Sequence, residues 1–370
     1  AKAVGDDQVR LLFREHRPTE MEAWDGTRPL RFRVPEIKRY RWHDEVRGDL
    51  EAGEEALDDF ILIKSDGYPT YNLAHIVDDS FMGITHIFRA DEFISSVPRF
   101  LSLYEALEIT PPAFVTLPPI LRDDRTKKLG KRDGAKDVLD YRAEGYLPQA
   151  MVNFLALTGW NPGTEQEVFS PSELLATFDI VRIQSHGAVL NAEKLRWLNR
   201  EHLARLDYTA FADYAMPILT HELRERGATL ENKVMGAILA VIRDRISTYE
   251  DITTMIRAGD LDFFFQTPTL DSTLIHGKGS DTAKATEHLQ ALRVISDGVG
   301  ESDFMSTHLK EIIWPYANEK GRGEVLWPFR YALTGRNKSP DPFEVAGVIG
   351  KSQTIARIDV ALSMLVANNN

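Results

Sequence analysis

The stretch Lys127-Lys128-Leu129-Gly130-Lys131-Arg132-Asp133-Gly134 places four cations around one glycine and closes on a second. A loop of this kind can wrap a polyphosphate. Its lysines can neutralise the charge that develops when pyrophosphate leaves an attacked α-phosphate. The plainer alternative is a solvated basic turn, the usual fate of a charge run. The spacing G-x-x-x-x-G-K-[ST] is absent, so this is not a Walker A phosphate loop.

A second group runs Ser65-Asp66-Gly67-Tyr68-Pro69-Thr70-Tyr71-Asn72, then Val77-Asp78-Asp79, then Arg89. It gathers tyrosines, carboxylates and an arginine around strand ends. Open α/β sheets bind ligands at the carboxyl ends of their parallel strands. Arg89 there could grip a carboxylate with both prongs of its guanidinium. The alternative is structural: Asp78 and Asp79 cap a helix and Arg89 pairs with one of them.

Two further patches are basic. Arg28, Arg31, Arg33, Lys38, Arg39 and Arg41 face a single local acid, Glu36. Within them Arg39-Tyr40-Arg41-Trp42 interleaves cations and rings, which suits bases stacked from unpaired RNA. An ordinary amphipathic strand explains the same pattern. Lys320, Arg322, Arg330, Arg336 and Lys338 with Trp327 carry the same ambiguity. The ten histidines are scattered, and H-E-x-x-H, G-x-S-x-G, G-x-G-x-x-G after a strand, and EF-hand loops are all absent.

These residues need elements to hold them. Arg31-Phe32-Arg33-Val34 alternates as a half-buried strand does, and Phe60-Ile61-Leu62-Ile63 reads as a fully buried strand stopped by Ser65-Asp66-Gly67. A strand over Ile84–Arg89 is predicted next. A helix follows, capped by Ser96, carrying Pro98 in its first turn and Phe100, Leu101, Tyr104 and Leu107 at helical spacing. Val115-Thr116-Leu117 is the next strand, so the run predicts a βαβ unit in a parallel sheet. Pro148 opens a helix with Leu147, Met151, Phe154, Leu155 and Thr158 on one face, closed by Gly159. Two short helices are expected in 170–207, and beyond 208 nearly everything reads as helix.

Composition bounds the rest. The chain has 370 residues, enough for two or three domains. Lys and Arg number 44 against 56 Asp and Glu, a formal charge of −12, which argues against a general nucleic-acid glue. The cations concentrate instead: residues 28–41 hold six against one acid, and residues 122–136 hold seven against three. The cysteine count is zero, which excludes a disulfide scaffold, an iron–sulfur cluster, a thiol nucleophile and a Cys-ligated zinc. No stretch approaches 18 consecutive apolar residues, so no transmembrane helix is predicted. The opening AKAVGDDQVR has no signal-peptide pattern and no initiator Met.

Read in order, these stretches resemble a class I aminoacyl-tRNA synthetase of the glutamyl type. The resemblance is carried by DDFILIKSDGYPTYNLAHIVDDSFMGITHIFRADEF, VPRFLSLYEAL, KKLGKRDGAKDVLDYRAEGYLPQAMVNFLALTGWNPG, EKLRWLNREHL and LWPFRYALTGR, and extends over the chain from about residue 28. It implies that the lysine-rich signature loop falls on Lys128-Leu129-Gly130-Lys131-Arg132. Lys128 and Lys131 would then contact ATP phosphates and stabilise adenylation. It implies a glutamate pocket at Tyr71, His75 and Arg89, with Arg89 pairing the substrate carboxylate and disfavouring glutamine. Arg31, Arg33, Arg41, Arg330 and Arg336 are the implied tRNA contacts. Three positions depart from the family pattern: Gly130 replaces the usual serine, His75 an asparagine and Phe93 a tryptophan.

The implied fold is an α/β front, the second half of a Rossmann-type catalytic domain plus a mixed acceptor-binding insertion, followed by an all-α helical-bundle region that binds tRNA and its anticodon. The expected divisions are the remainder of the insertion at 1–66, the Rossmann half at 67–121, the signature-loop and stem-contact domain at 122–207, and the anticodon-binding helices at 208–370. The family's His-x-Gly-His motif is absent. The expectation is therefore an incomplete form of the enzyme, inactive by itself. The implied function is ATP-dependent ligation of L-glutamate to tRNA(Glu) through a glutamyl adenylate. ATP would be accompanied by Mg²⁺, with no protein-bound zinc, in a cytoplasmic monomer without a membrane partner. The alternative is a non-catalytic tRNA-binding protein derived from such an enzyme. A glutaminyl-type ligase is disfavoured by the loop sequence and the helical rear.

Overall fold

A computed structural model describes residues 13–20, 23–122, 124, 127–130, 136–228, 230, 232–277 and 280–367. In chain order the strands and helices of the front are β1 (Leu30–Phe32), β2 (Tyr40–Asp44), β3 (Gly48–Ala52), β4 (Phe60–Ile63), α1 (Tyr71–Met82), β5 (His86–Ala90), α2 (Val97–Ala106), β6 (Ala113–Leu117) and β7 (Ile120–Leu121). There follow α3 (Val138–Ala143), α4 (Pro148–Gly159), α5 (Pro171–Thr177), β8 (Ala188–Val189) and α6 (Ala192–Arg205). Helices then dominate: α7 (Tyr208–Glu225), α8 (Asn232–Ile242), α9 (Glu250–Arg257), α10 (Thr282–Asp297), α11 (Ser306–Lys320), α12 (Arg322–Thr334) and α13 (Pro342–Ala367).

The chain divides into two compact units, one of Ala1–Ala135 with Val152–Ala192, the other of Lys136–Met151 with Glu193–Asn370. In the first, a four-stranded mixed sheet has the order β3-β2-β6-β5. The predicted βαβ unit is there: β5 and β6 are parallel, from His86 opposite Ala113 to Ala90 opposite Leu117, and α2 makes the crossover. Side chains alternate across β6, so Phe114 joins a core with Val34, Trp42, Ile76, Phe100 and Leu103, while Val115 joins Trp160, Phe169 and Leu174.

One buried carboxylate sets how the β2–β3 hairpin meets this unit. Asp44 is 1% exposed. Its Oδ1 accepts the amides of Val46 and Arg47 at 3.0 and 2.9 Å, closing the turn. Its Oδ2 accepts the Thr116 hydroxyl at 2.6 Å, tying β2 to β6.

Three expectations need correction. Ser96 holds the N-cap position of α2 but makes no capping hydrogen bond, because the chain enters already coiled through the 3₁₀ turn Asp91–Ser96. Leu155 is 48% exposed, one residue beyond buried Phe154, and so about 100° around the helix from it. Asp78 and Asp79 lie inside α1, in its second half, and do not cap it.

The second unit packs its helices around one continuous apolar core, which includes Leu203, Phe211, Ile252, Leu289, Phe329, Phe343 and Ile358. Asp207 and Asp281 cap α7 and α10 by accepting the amides of Ala210 and Lys284, each at 2.8 Å. The run α13 is broken at Gly350, whose φ of 80° and ψ of 171° suit glycine alone.

Candidate active site

Tyr71 and His75 stand one turn apart on α1 and so share a face. Their rings stack, with centroids 4.7 Å apart and planes 14° from parallel. Phe100 of α2 meets the imidazole edge-on at 4.5 Å. His75 Nδ1 lies 2.6 Å from the Tyr71 carbonyl oxygen. A carbonyl only accepts, so Nδ1 carries the proton and Nε2 keeps a lone pair. Burial pushes the His75 pKa below its ordinary value, and nearby Arg89 adds to this against the carbonyl hydrogen bond. The ring is therefore neutral at pH 7. Burial also pushes the Tyr71 phenol upward despite Arg89, so it remains a hydrogen-bond donor.

Arg89 leaves the carboxyl end of β5. Its guanidinium carbon is 5.6 Å from the ring centroids of both Tyr71 and Phe93. Among the described residues no carboxylate is paired with it. His75, Arg89, Phe93, Phe100 and Thr116 help line a small cavity of about 20 Å³. The three residues singled out for the glutamate pocket thus converge. A half-buried guanidinium near two rings, with no carboxylate paired to it among the described residues, has the chemistry to receive a carboxylate.

In the signature stretch, Lys127 to Gly130 are described, while Lys131 and Arg132 lie outside the described residues. A narrow strap positions the first part. Leu129 N donates to Ile120 O at 2.8 Å, Arg122 N donates to Lys127 O at 2.9 Å, and Lys128 bridges to Leu121. β7 is itself paired with β8. The strap delivers Lys128 Nζ to Glu92, 2.5 Å away. That hydrogen bond raises the Lys128 pKa. Both side chains are more than half exposed, so the pair is displaceable and Lys128 can turn to a phosphate instead. Sequence reasoning passed over Glu92. Its one signal was its place in Arg89-Ala90-Asp91-Glu92-Phe93, between two residues of the pocket.

The basic patches look different in three dimensions. On β2, Arg41 and His43 point out while Trp42 and Asp44 are buried. Trp42 belongs to the core and Tyr40 donates its hydroxyl to Glu105 at 2.8 Å, so these rings are not open platforms for bases. The amphipathic-strand alternative describes them. Arg39 and Arg41 share Glu51 at 2.6 and 3.2 Å, and Lys38 meets Glu105 at 2.8 Å. Arg31 lies over the Phe13 ring and donates to Asp59 O, whereas Arg33 is exposed. In the helical unit Arg336 donates to Gly259 O at 2.7 Å, and the Nε of Arg330 is buried with no hydrogen-bond partner among the described residues. Arg322 lies over the Trp314 ring, 4.8 Å from its centroid. Among the described residues, no group of three His, Asp or Glu side chains is placed to hold a metal, and no helix is long and apolar enough to cross a membrane.

Comparison with known proteins places this geometry. Residues 4–197 match the family described as tRNA synthetases class I (E and Q), catalytic domain, and residues 210–362 match an anticodon binding domain. The fold is that of a class I aminoacyl-tRNA synthetase: a catalytic domain with mixed sheets, then a helical anticodon-binding region. The glutamate–tRNA ligase of Flavobacterium johnsoniae is 36% identical over 356 residues, spanning 91% of this chain and 68% of its own length. That of Clostridium botulinum is 35% identical over 341 residues, with the same coverage. The crystal structure of a glutamate tRNA ligase from Elizabethkingia meningosepticum, in complex with its amino acid, superposes with a TM-score of 0.72 at 31% identity, covering 90% of this chain and 68% of that one. This chain belongs to the glutamate–tRNA ligase family.

Proposed function

We propose that this chain serves the ATP-dependent ligation of L-glutamate to tRNA(Glu) through a glutamyl adenylate, as a monomer in the cytoplasm. The observation that carries the reading is Arg89, a guanidinium near the rings of Tyr71 and Phe93 with no carboxylate paired to it among the described residues. The side-chain carboxylate of glutamate supplies the missing anion. Glutamine, which is neutral there, leaves the buried charge uncompensated, and that asymmetry is the source of discrimination. His75, neutral and proton-bearing at Nδ1, adds no second cation and offers Nε2 as an acceptor.

In the first step an oxygen of the glutamate α-carboxylate attacks the α-phosphorus of ATP. The bond to pyrophosphate breaks, and pyrophosphate leaves with the Mg²⁺ that accompanies the nucleotide. No base is needed, since the carboxylate is already ionised. What the protein contributes is alignment and compensation of charge. Lys128 fits that task because its present partner is an exposed carboxylate that phosphate can replace. Lys131 and Arg132 are assigned to the same task by the family motif. In the second step a terminal ribose hydroxyl of the tRNA attacks the acyl carbon and AMP departs. The divisions at 1–66, 67–121, 122–207 and 208–370 assign stem contacts to the first and third segments, glutamate to the second, and the anticodon to the last.

The test is glutamate binding to the chain, read by calorimetry or ligand-induced thermal stabilisation. Glutamate should bind detectably better than glutamine, and Arg89→Ala should erase the difference. Equal binding of the two amino acids, or an unchanged Arg89→Ala variant, would overturn the reading.

A further inference from the structure

Glu92, Phe93 and Ile94 are consecutive in the 3₁₀ turn Asp91–Ser96 and serve two sides of it. Phe93 and Ile94 line the cavity beside Arg89, while Glu92 reaches Lys128 of the strap. The two bridged residues are 36 apart in the chain, so tertiary packing makes the contact. One short segment therefore touches both the cavity assigned to the amino acid and the lysine assigned to phosphate.

The cavity is tight. Its volume of about 20 Å³ admits roughly one water molecule. A carboxylate with the methylene behind it is larger, so part of the wall must give way. Ile87, Val97, Phe100, Phe114 and Val115 are buried in strands or helices, and close-packed side chains of that kind resist displacement. His75 and Thr116 are buried and hydrogen-bonded. Among the lining residues only Arg89, Phe93 and Ile94 are half-buried. Arg89 is to receive the anion, which leaves the two residues of the turn. Charge acts in the same direction. The Arg89 guanidinium carbon lies 5.6 Å from the centroid of the Phe93 ring, within reach of a cation–π attraction. A carboxylate on Arg89 neutralises the cation and loosens its hold on that ring.

We infer that Glu92 is a positioning residue that couples the two ligands: seating the amino acid shifts the Asp91–Ser96 turn, withdraws Glu92 from Lys128, and so frees the lysine for phosphate. Until then the Glu92 carboxylate competes with phosphate for Lys128. The inference rests on the proposed function for the identity of its two ligands. The bridge joins two exposed side chains, which limits the coupling to about two- to fivefold. Coupling is also reciprocal, so phosphate must tighten the amino acid by the same factor.

The test measures the dissociation constant of tripolyphosphate for the full chain, with and without saturating L-glutamate, at one ionic strength set by potassium chloride. Glutamate should tighten tripolyphosphate about two- to fivefold, and tripolyphosphate should tighten glutamate equally. Glu92→Gln should bind tripolyphosphate equally well with or without glutamate, and Glu92→Asp should restore part of the difference. Glu51→Gln, which breaks an exposed ion pair with Arg39 and Arg41, should behave as the parent chain does. A second readout needs no glutamate. With 4-fluorophenylalanine in place of Phe93, tripolyphosphate should shift the fluorine resonance in the parent chain and leave it unmoved in Glu92→Gln. Glutamate that binds without changing tripolyphosphate affinity, coupling that survives Glu92→Gln, or a failure of tripolyphosphate to bind overturns the inference. A Glu92-dependent fluorine shift without any binding of glutamate keeps the link between turn and lysine and overturns the amino-acid assignment instead.

Discussion

Lys128 Nζ and Glu92 Oε2 are 2.5 Å apart, which joins the lysine-rich strap to the 3₁₀ turn that carries Phe93. The residue assigned to phosphate is therefore held by the segment that carries Phe93 into the cavity beside Arg89. Glu92→Gln should release Lys128 and strengthen the binding of ATP or tripolyphosphate. An exposed ion pair is worth about 1 kcal/mol or less, so the gain should not exceed about fivefold. It should shrink in high salt. Titration of tripolyphosphate at two ionic strengths decides it, and weaker binding by the variant would contradict this reading of the pair.

Arg89→Ala should weaken glutamate binding by about 10- to 100-fold, the worth of a hydrogen-bonded charge pair of about 1.5–3 kcal/mol. Arg89→Lys should recover only part of this, since an ammonium lacks the planar fork that the guanidinium presents beside Tyr71 and Phe93. Competition between glutamate and glutamine is the measurement.

His75 makes stability depend on pH in a defined direction. Its folded-state pKa lies below the ordinary value of 6.5, chiefly through burial. Between the two values the unfolded chain binds more protons than the folded one. Stability from this residue is thus intact above about pH 6.5 and is lost progressively as pH falls toward the folded pKa. His75→Asn should flatten that slope. Denaturation midpoints of both proteins between pH 5 and 8 provide the check, and parallel slopes would rule out the assignment.

Arg357 is the opposite case, a buried charge that serves the fold. It is 4% exposed, burial lowers its pKa to about 10, and its guanidinium donates to the carbonyls of Phe263, Leu333 and Gln266 at 2.7, 2.6 and 3.1 Å. Arg357→Met should cost about 3 kcal/mol or more, because three carbonyls lose their donor. Urea unfolding, followed by helical circular dichroism, reports it.

Gly277 lies at φ 73°, and a Cβ there would come 2.6 Å from Trp327 Cδ1. Trp327 Nε1 donates to Leu274 O at 3.0 Å. Gly277→Ala should displace the indole, shift its fluorescence and destabilise by about 1–3 kcal/mol. An unchanged emission spectrum and midpoint would show that the neighbouring loop yields at no cost.

The sequence determined what local pattern and residue chemistry can determine. The βαβ unit was legible because β5 and β6 are apolar runs separated by a helical period, and α4 because Pro148 and Gly159 punctuate it. The convergence of Tyr71, His75 and Arg89 was legible because Tyr71 and His75 lie four apart on one helix, and Arg89 lies near the end of the next strand. Tertiary structure decided what depends on distant partners. Arg39-Tyr40-Arg41-Trp42 could be a base-stacking ribbon or an amphipathic strand until packing buried Trp42 and brought Glu51 and Glu105 to the cations. The capping role given to Ser96 failed because a preceding 3₁₀ turn, set by packing against β5 and β6, already supplied the coil. Glu92 acquired its role only when the strap brought Lys128 across 36 residues of chain to meet it. Hydrogen bonding across a sheet and pairing of charges are non-local, and one-dimensional spacing does not encode them.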